Sequence, residues 1–166
     1  MAAGSTYTPI ATQSVSGASS VTFSSIPQTY TDLVMVYNGK GSATGNGIYG
    51  NVGNGSIDTG SNYSYRHLQG NGSTTNSNGA TNNTLYVATN YVDAGYDDVI
   101  IWNFQNYSNT STYKTILLRA NSASSGVAAT VALWRSTSAI NVVYATLSGG
   151  TFATGSTFTL YGIAAA

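Results

Sequence analysis

The chain holds a single histidine, His67, and five carboxylates, all aspartates: Asp32, Asp58, Asp93, Asp97 and Asp98. A Ser-His-Asp triad on an elbow needs a G-x-S-x-G turn, and the sequence has none. His67 lies in NYSYRHLQG, where Tyr63, Tyr65 and His67 alternate with Ser64, Arg66 and Leu68. That period of two is a strand's, and a surface or interface histidine is expected there, not a catalytic base. Glycoside hydrolysis needs two carboxyl groups flanking one bond. Asp97 and Asp98 are adjacent, so on a strand they point to opposite faces. DAGYDD, from Asp93, gathers Asp93, Asp97 and Asp98 around a glycine and is a weak calcium candidate. It lacks the EF-hand spacing and terminal Glu, and a solvated turn without metal is expected. GKGS at Gly39 is no phosphate loop, because the glycine required five residues earlier falls on Val34. The absence of cysteine removes thiolate catalysis and zinc-thiolate sites. The expectation is a protein without catalytic residues or cofactor, not an enzyme.

The 13 tyrosines, set among Ser, Gly and Asn, are the second chemical signal. A tyrosine ring gives much contact area for little entropy, and its hydroxyl keeps it soluble. Most are expected at sandwich rims and subunit seams. The alternative is a glycan grip formed by Tyr49, Tyr63, Tyr65 and His67 with the long polar loop Gly70 to Asn83, since sugar sites pair aromatic faces with amides and hydroxyls.

The elements that would carry these residues are short strands. DLVMVY, DVIIWNFQNY, YKTILLRA, VAATVALWR, INVVYATL and STFTLYGI are β-branched and aromatic, and each stops at Gly, Asn or Ser. LVMVY is apolar on both faces, as in a central strand of a sandwich or a trimer core. Gly39 to Gly47, Gly53 to Ser61 and Gly70 to Asn83 read as turns and loops, and no stretch has sustained helical periodicity. IPQTYTDL, from Ile26, reads as a corner: Pro27 suits a strand entry, Asp32 caps the turn through its own backbone, and Tyr30 sits where the chain crosses between sheets. An all-β, antiparallel, jelly-roll-like sandwich follows. Residues 1–20 are expected as an extended N-terminal arm or first strand, and 21–166 as a single domain. Leu33, Met35, Ile100, Trp102, Leu117, Leu133, Val143 and Leu160 are the expected core.

Charge bounds the partners. Only 6% of residues are charged and the formal net charge is zero, against roughly 25% in an average soluble protein. A hydroxyl- and amide-rich surface of this kind carries no long-range field to hold copies apart. Nucleic acid is not expected as a partner, because Lys40, Arg66, Lys114, Arg119 and Arg135 are scattered along the chain. No run is long enough to cross a bilayer as a helix, and no signal-peptide pattern appears in the first twenty residues, so synthesis in a cytoplasm is expected.

SVTFSSIPQTYTDLVMVYNG, TGSNYSYRHLQGNGS, NYSNTSTYKTILLRAN, VALWRSTSAINVV and GSTFTLYGI together resemble small virion structural proteins of tailed phages, especially phages of cyanobacteria. The likeness runs from about Thr8 to Ile163, and IPQTYTDL and FTLYGI are its most distinctive parts. It implies a β-sandwich located in the virion as a capsid decoration (cement) protein or as part of a tail or fibre. The first role implies a homo-oligomer, a trimer, docked on the major capsid protein through the N-terminal segment, with Tyr7, Pro9 and Ile10 as docking residues. Removal of residues 1–20 is then expected to abolish docking and leave the fold intact. The second role implies a receptor-binding module that recognises a host surface glycan.

Overall fold

The computed structural model describes residues 6–81 and 85–164; for 85–91 it describes the backbone. Among these residues there is no helix. The strands are β1 (Tyr7–Val15), β2 (Ser20–Phe23), β3 (Asp32–Gly39), β4 (Asn46–Asn54), β5 (Ser56–Ile57), β6 (Tyr63–Gly70), β7 (Thr75–Thr81), β8 (Leu85–Val92), β9 (Asp98–Phe104), β10 (Lys114–Ser122), β11 (Gly126–Trp134), β12 (Val142–Leu147) and β13 (Ser156–Ile163).

They form two antiparallel sheets. The larger has the order β1-β13-β3-β9-β10-β11-β6-β7; the smaller runs β2-β12-β4-β5, with β8 also paired to β4. Taking β1-β13-β3-β9 against β2-β12-β4-β8, the chain changes layer at every step but that from β4 to β8, which pair with each other, and this is jelly-roll ordering. The β10–β11 and β6–β7 hairpins widen one layer. The expected all-β sandwich is the observed fold.

Inward residues of both layers form one core. Leu33, Met35 and Tyr37 of β3, with Ile100, Trp102 and Phe104 of β9, pack with Phe23, Ile48, Val52 and Val143 of the smaller sheet in one buried cluster. Tyr37, Phe152 and Phe158 form an aromatic nucleus with centroids 4.8–5.4 Å apart. Six of the eight expected core residues are buried. Leu117 and Leu133 are corrections: Leu117 is 44% exposed and Leu133 half-buried. In KTILLRANS the alternation sends Ile116 and Leu118 inward and Leu117 outward, a choice that two adjacent leucines leave open in the sequence.

IPQTYTDL is the crossing between sheets, leading from β2 in the smaller to β3 in the larger. The Tyr107 hydroxyl donates to the Pro27 carbonyl, and Tyr30 N donates to the same hydroxyl. Gln28 Nε2 donates to the carbonyls of Ile26 and Ile140, both at 2.9 Å. The Tyr30 ring lies on Gly162, where a Cβ would come within 2.3 Å of it. Asp32 does not cap its own turn. Its Oδ1 accepts from Asn106 N at 2.5 Å, tying the corner to the turn after β9.

Two strands run into stretches read as loops: β7 lies within Gly70 to Asn83, and β4 takes up the end of Gly39 to Gly47 and the start of Gly53 to Ser61. Asn46–Asn54 is a largely buried strand despite its glycines, because β12 on one side and β8 and β5 on the other satisfy its backbone. Thr75–Thr81, inside the expected Gly70 to Asn83 loop, pairs with β6 as an exposed edge strand. The N-terminal segment expected as arm or first strand runs along β13 from Tyr7↔Ile163 to Val15↔Ser156, with a register shift between Pro9 and Ala11.

Candidate functional site

The outward face of the larger sheet is where the fold leaves apolar side chains uncovered. Strand registers place its residues in rows across the sheet. One row is Tyr161, Val34, Asn103, Leu117, Val131 and Arg66; the next is Thr159, Val36, Ile101, Arg119, Ala129 and Leu68. A third brings in Val99 and Val127. Leu117 and Val131 are each 44% exposed, Val127 58% and Leu68 59%. A broad depression of about 800 Å³ lies over this face, floored by Val36, Ile101, Leu117 and Ala129. A contiguous exposed apolar patch on a soluble chain is often an interaction surface.

Within these three rows the charge is positive, while Asp32 on the outward side of β3 lies one row beyond Val34. Arg66 lies over β7, where Gly79 leaves the space: a Cβ there would be 2.5 Å from Arg66 Nη1. Arg66 Nη1 also donates to the Tyr65 carbonyl at 2.9 Å. Arg119, central in its row, forms no hydrogen bond or ion pair among the described residues. No carboxylate sits in any of the three rows. Sequence reasoning missed this face, although its signal was present: LVMVY, VIIW and TILLR place apolar residues consecutively, and a two-layer sandwich can bury only every second one.

The residues singled out from sequence do not converge. Tyr63, Tyr65 and His67 face inward and are buried, at 0%, 8% and 5% exposure, whereas Tyr49 is on the other sheet and half-buried. The expected glycan grip is therefore not assembled, and the expectation of a surface histidine is corrected. The register to β11 turns odd-numbered β6 residues into the core. The Tyr63 hydroxyl donates at 2.9 Å and 2.8 Å to the carbonyls of Val52 and Asp58 and accepts from Val52 N, and burial pushes its pKa up to about 12. His67 Nδ1 lies 2.8 Å from Thr130 Oγ1, and Nε2 lies 2.8 Å from Gln69 Oε1. Neither partner is a carboxylate or a serine.

The carboxylates serve the fold. Burial pulls Asp58 up, but hydrogen bonds from Trp134 Nε1, Asn62 Nδ2 and Gly60 N outweigh it and hold the group below its ordinary value. A hydrogen bond from Thr44 does most to hold Asp93 low, against its burial, with further donors in Ala94 N and Ser124 Oγ. Asp98 is fully buried; its Oδ2 accepts from Asp93 N at 2.8 Å, and Oδ1 has no partner among the described residues. Burial pushes its carboxyl up. Asp97 points the other way and is exposed, as the adjacent positions required. No group of three His, Cys, Asp or Glu residues able to hold a metal occurs among the described residues.

Of the expected docking residues, Tyr7 is 56% exposed and edge-on to Tyr161, with centroids 6.0 Å apart, at the margin of the apolar face. Pro9 is exposed at the sheet edge, and Ile10 packs against the core, so the three do not share one surface. No protein-family model matches this chain, and no curated protein matches it.

Proposed function

We propose that this chain is a structural, non-catalytic subunit of a virus particle: a decoration protein of a tailed-phage head that adheres to the major capsid protein and to its own copies. The observation that carries the reading is the uncovered apolar face of the larger sheet. Leaving that face in water is unfavourable by about 25 cal/mol per Å² of apolar surface, so the working state is one in which another surface covers it. The low charge of the chain supports the same reading, because close packing of many copies meets little electrostatic repulsion. Many modest contacts repeated over a shell resist its expansion by multivalency.

A receptor-binding role in a tail draws less support, since three of the four residues that suggested it are core residues. Copy number separates the two. Quantitative mass spectrometry of purified particles is expected to find hundreds of copies, in fixed proportion to the major capsid protein. A handful per particle would assign the chain to the tail, and absence from particles would refute the reading.

A further inference from the structure

We propose that two copies of this chain pair edge to edge through β7, antiparallel about a twofold axis at Asn78, so that their larger sheets run on as one. This rests on the reading that copies of the chain adhere to one another, and it names the contact.

The edges of the fold differ in how open they are. An exposed edge strand is a template for another strand unless proline, charge, a bulge or shortness blunts it. β1 carries Pro9 with a register shift beside it, β2 spans four residues and β5 two, and β8 meets β4 through two register shifts. β7 has none of these devices. Thr75–Thr81 is seven residues without charge or proline, paired in unbroken register with residues 64–70 of β6, and every residue but Ala80 is exposed.

The groups on that edge follow from the turn between β6 and β7. Asn71 N donates to the Thr74 carbonyl at 3.1 Å, so 71 and 74 form a hydrogen-bonded pair, and such pairs alternate with non-bonded ones along an antiparallel ladder. The backbones of Asn76, Asn78 and Ala80 therefore bond to β6, while N–H and C=O of Thr75, Ser77, Gly79 and Thr81 point away from it. Of these outward groups only Gly79 N has a partner among the described residues, Asn78 Oδ1 at 2.6 Å.

A second β7 meets all of them. Centred on Asn78, the antiparallel register sets Thr75 opposite Thr81 and Ser77 opposite Gly79 as hydrogen-bonded pairs, and about eight bonds use every outward group of both strands. Centring on Ser77 or Gly79 leaves some of them unpaired. Thr–Thr pairs are favourable across strands, and the two Asn78 amides meet on the axis. Arg66 lies over Gly79 on the outward side. The axis sets the two Gly79 positions about 9 Å apart, from two steps of about 3.4 Å along the strands and about 5.5 Å across them, which is roughly a Debye length at physiological salt. Exposed guanidiniums repel little at that range. The axis stands perpendicular to the sheet, so the apolar faces of both copies come to the same side and form one platform. The contact is isologous and closes at two copies.

Ser77→Pro tests the edge, because the N–H it deletes points away from β6 and the ladder within the protomer survives; circular dichroism and thermal unfolding verify the fold. By sedimentation velocity over a wide concentration range the wild type is expected to dimerise, and Ser77→Pro to associate at least tenfold more weakly. Single cysteines in this cysteine-free chain read the register independently. Asn78→Cys lies on the axis in a non-hydrogen-bonded pair, with Cα atoms about 4.5 Å apart and within disulfide reach, and mild oxidation is expected to cross-link it. Thr75→Cys, set opposite Thr81, is expected to stay single. A wild type that remains monomeric, a folded Ser77→Pro that dimerises normally, or cross-linking of Thr75→Cys in preference to Asn78→Cys would each overturn the contact. So would a monomeric wild type whose β7 amides gain protection from exchange only in particles, which would assign the edge to a strand of another particle protein. Copy number keeps this apart from the broader reading: a wild type monomeric in solution yet present in hundreds of copies per particle refutes the edge pairing alone, and a β7-paired dimer absent from particles refutes the decoration reading alone.

Discussion

At the scale of single residues, polar groups inside this sandwich are fasteners. Asp58 gathers three donors where β5 leaves the smaller sheet, and Lys114, 1% exposed, donates from Nζ to the carbonyls of Thr112 and Thr137. Burial lowers the Lys114 pKa. Asp98 is the exception, because one oxygen is buried without a partner and desolvation raises its pKa above the unfolded value. Its contribution to stability is therefore fully present below the unfolded pKa near 3.8 and is lost as pH rises through the folded one. Asp98→Asn removes the charge and keeps the shape. Thermal unfolding at neutral pH is expected to show the variant more stable, by about 1 kcal/mol, with the gain vanishing below about pH 4. Asp58 and Asp93 have the opposite sign: their contribution is present above the unfolded pKa and is lost as pH falls through their lowered folded values. Asp58→Asn is accordingly expected to destabilise at neutral pH and to lose that penalty in acid.

At the scale of elements, the corner at Ile26–Asp32 and the first strand carry the connectivity of the jelly roll. Tyr107→Phe deletes the hydroxyl that both donates to Pro27 and accepts from Tyr30 N, and a loss of about 1–2 kcal/mol in chemical denaturation is expected. An unchanged midpoint would mean that the corner is held by packing alone. Deletion of residues 1–15 strips β13 of one of its two partners and removes Ile10 and Val15, which pack against the core. A loss of about 3 kcal/mol is expected, from about 1.5 kcal/mol for each half-covered apolar side chain. The arm reading from sequence expected no effect on the fold. The sheet-crossing role of IPQTYTDL was legible because Pro27 and the apolar run after it have local meanings. The strands β4 and β7 were not, since NGIYGNVGN and TNSNGAT look like turns until their neighbours pair with them. Period-two patterns also fix which residues share a face without saying which face is inside. NYSYRHLQG therefore gave the right alternation with the tyrosines expected at contact surfaces instead of in the core.

At the scale of the whole molecule, two hairpins added to one layer of a jelly roll create a sheet wider than its partner layer, and its outward side is apolar at the centre. The buried histidine and the internally bonded aspartates leave that surface as the prominent chemical feature of the described exterior. Covering it is the central claim, and the chain's lack of cysteine gives a direct probe. Leu117→Cys places a unique thiol at a 44% exposed position in the middle of the face. The decisive measurement is its rate of maleimide modification in purified particles, compared with the same variant dissociated and diluted to the monomer. Strong protection in the particle, with rapid reaction when free, is the expected result; equal rates in the two states would contradict it.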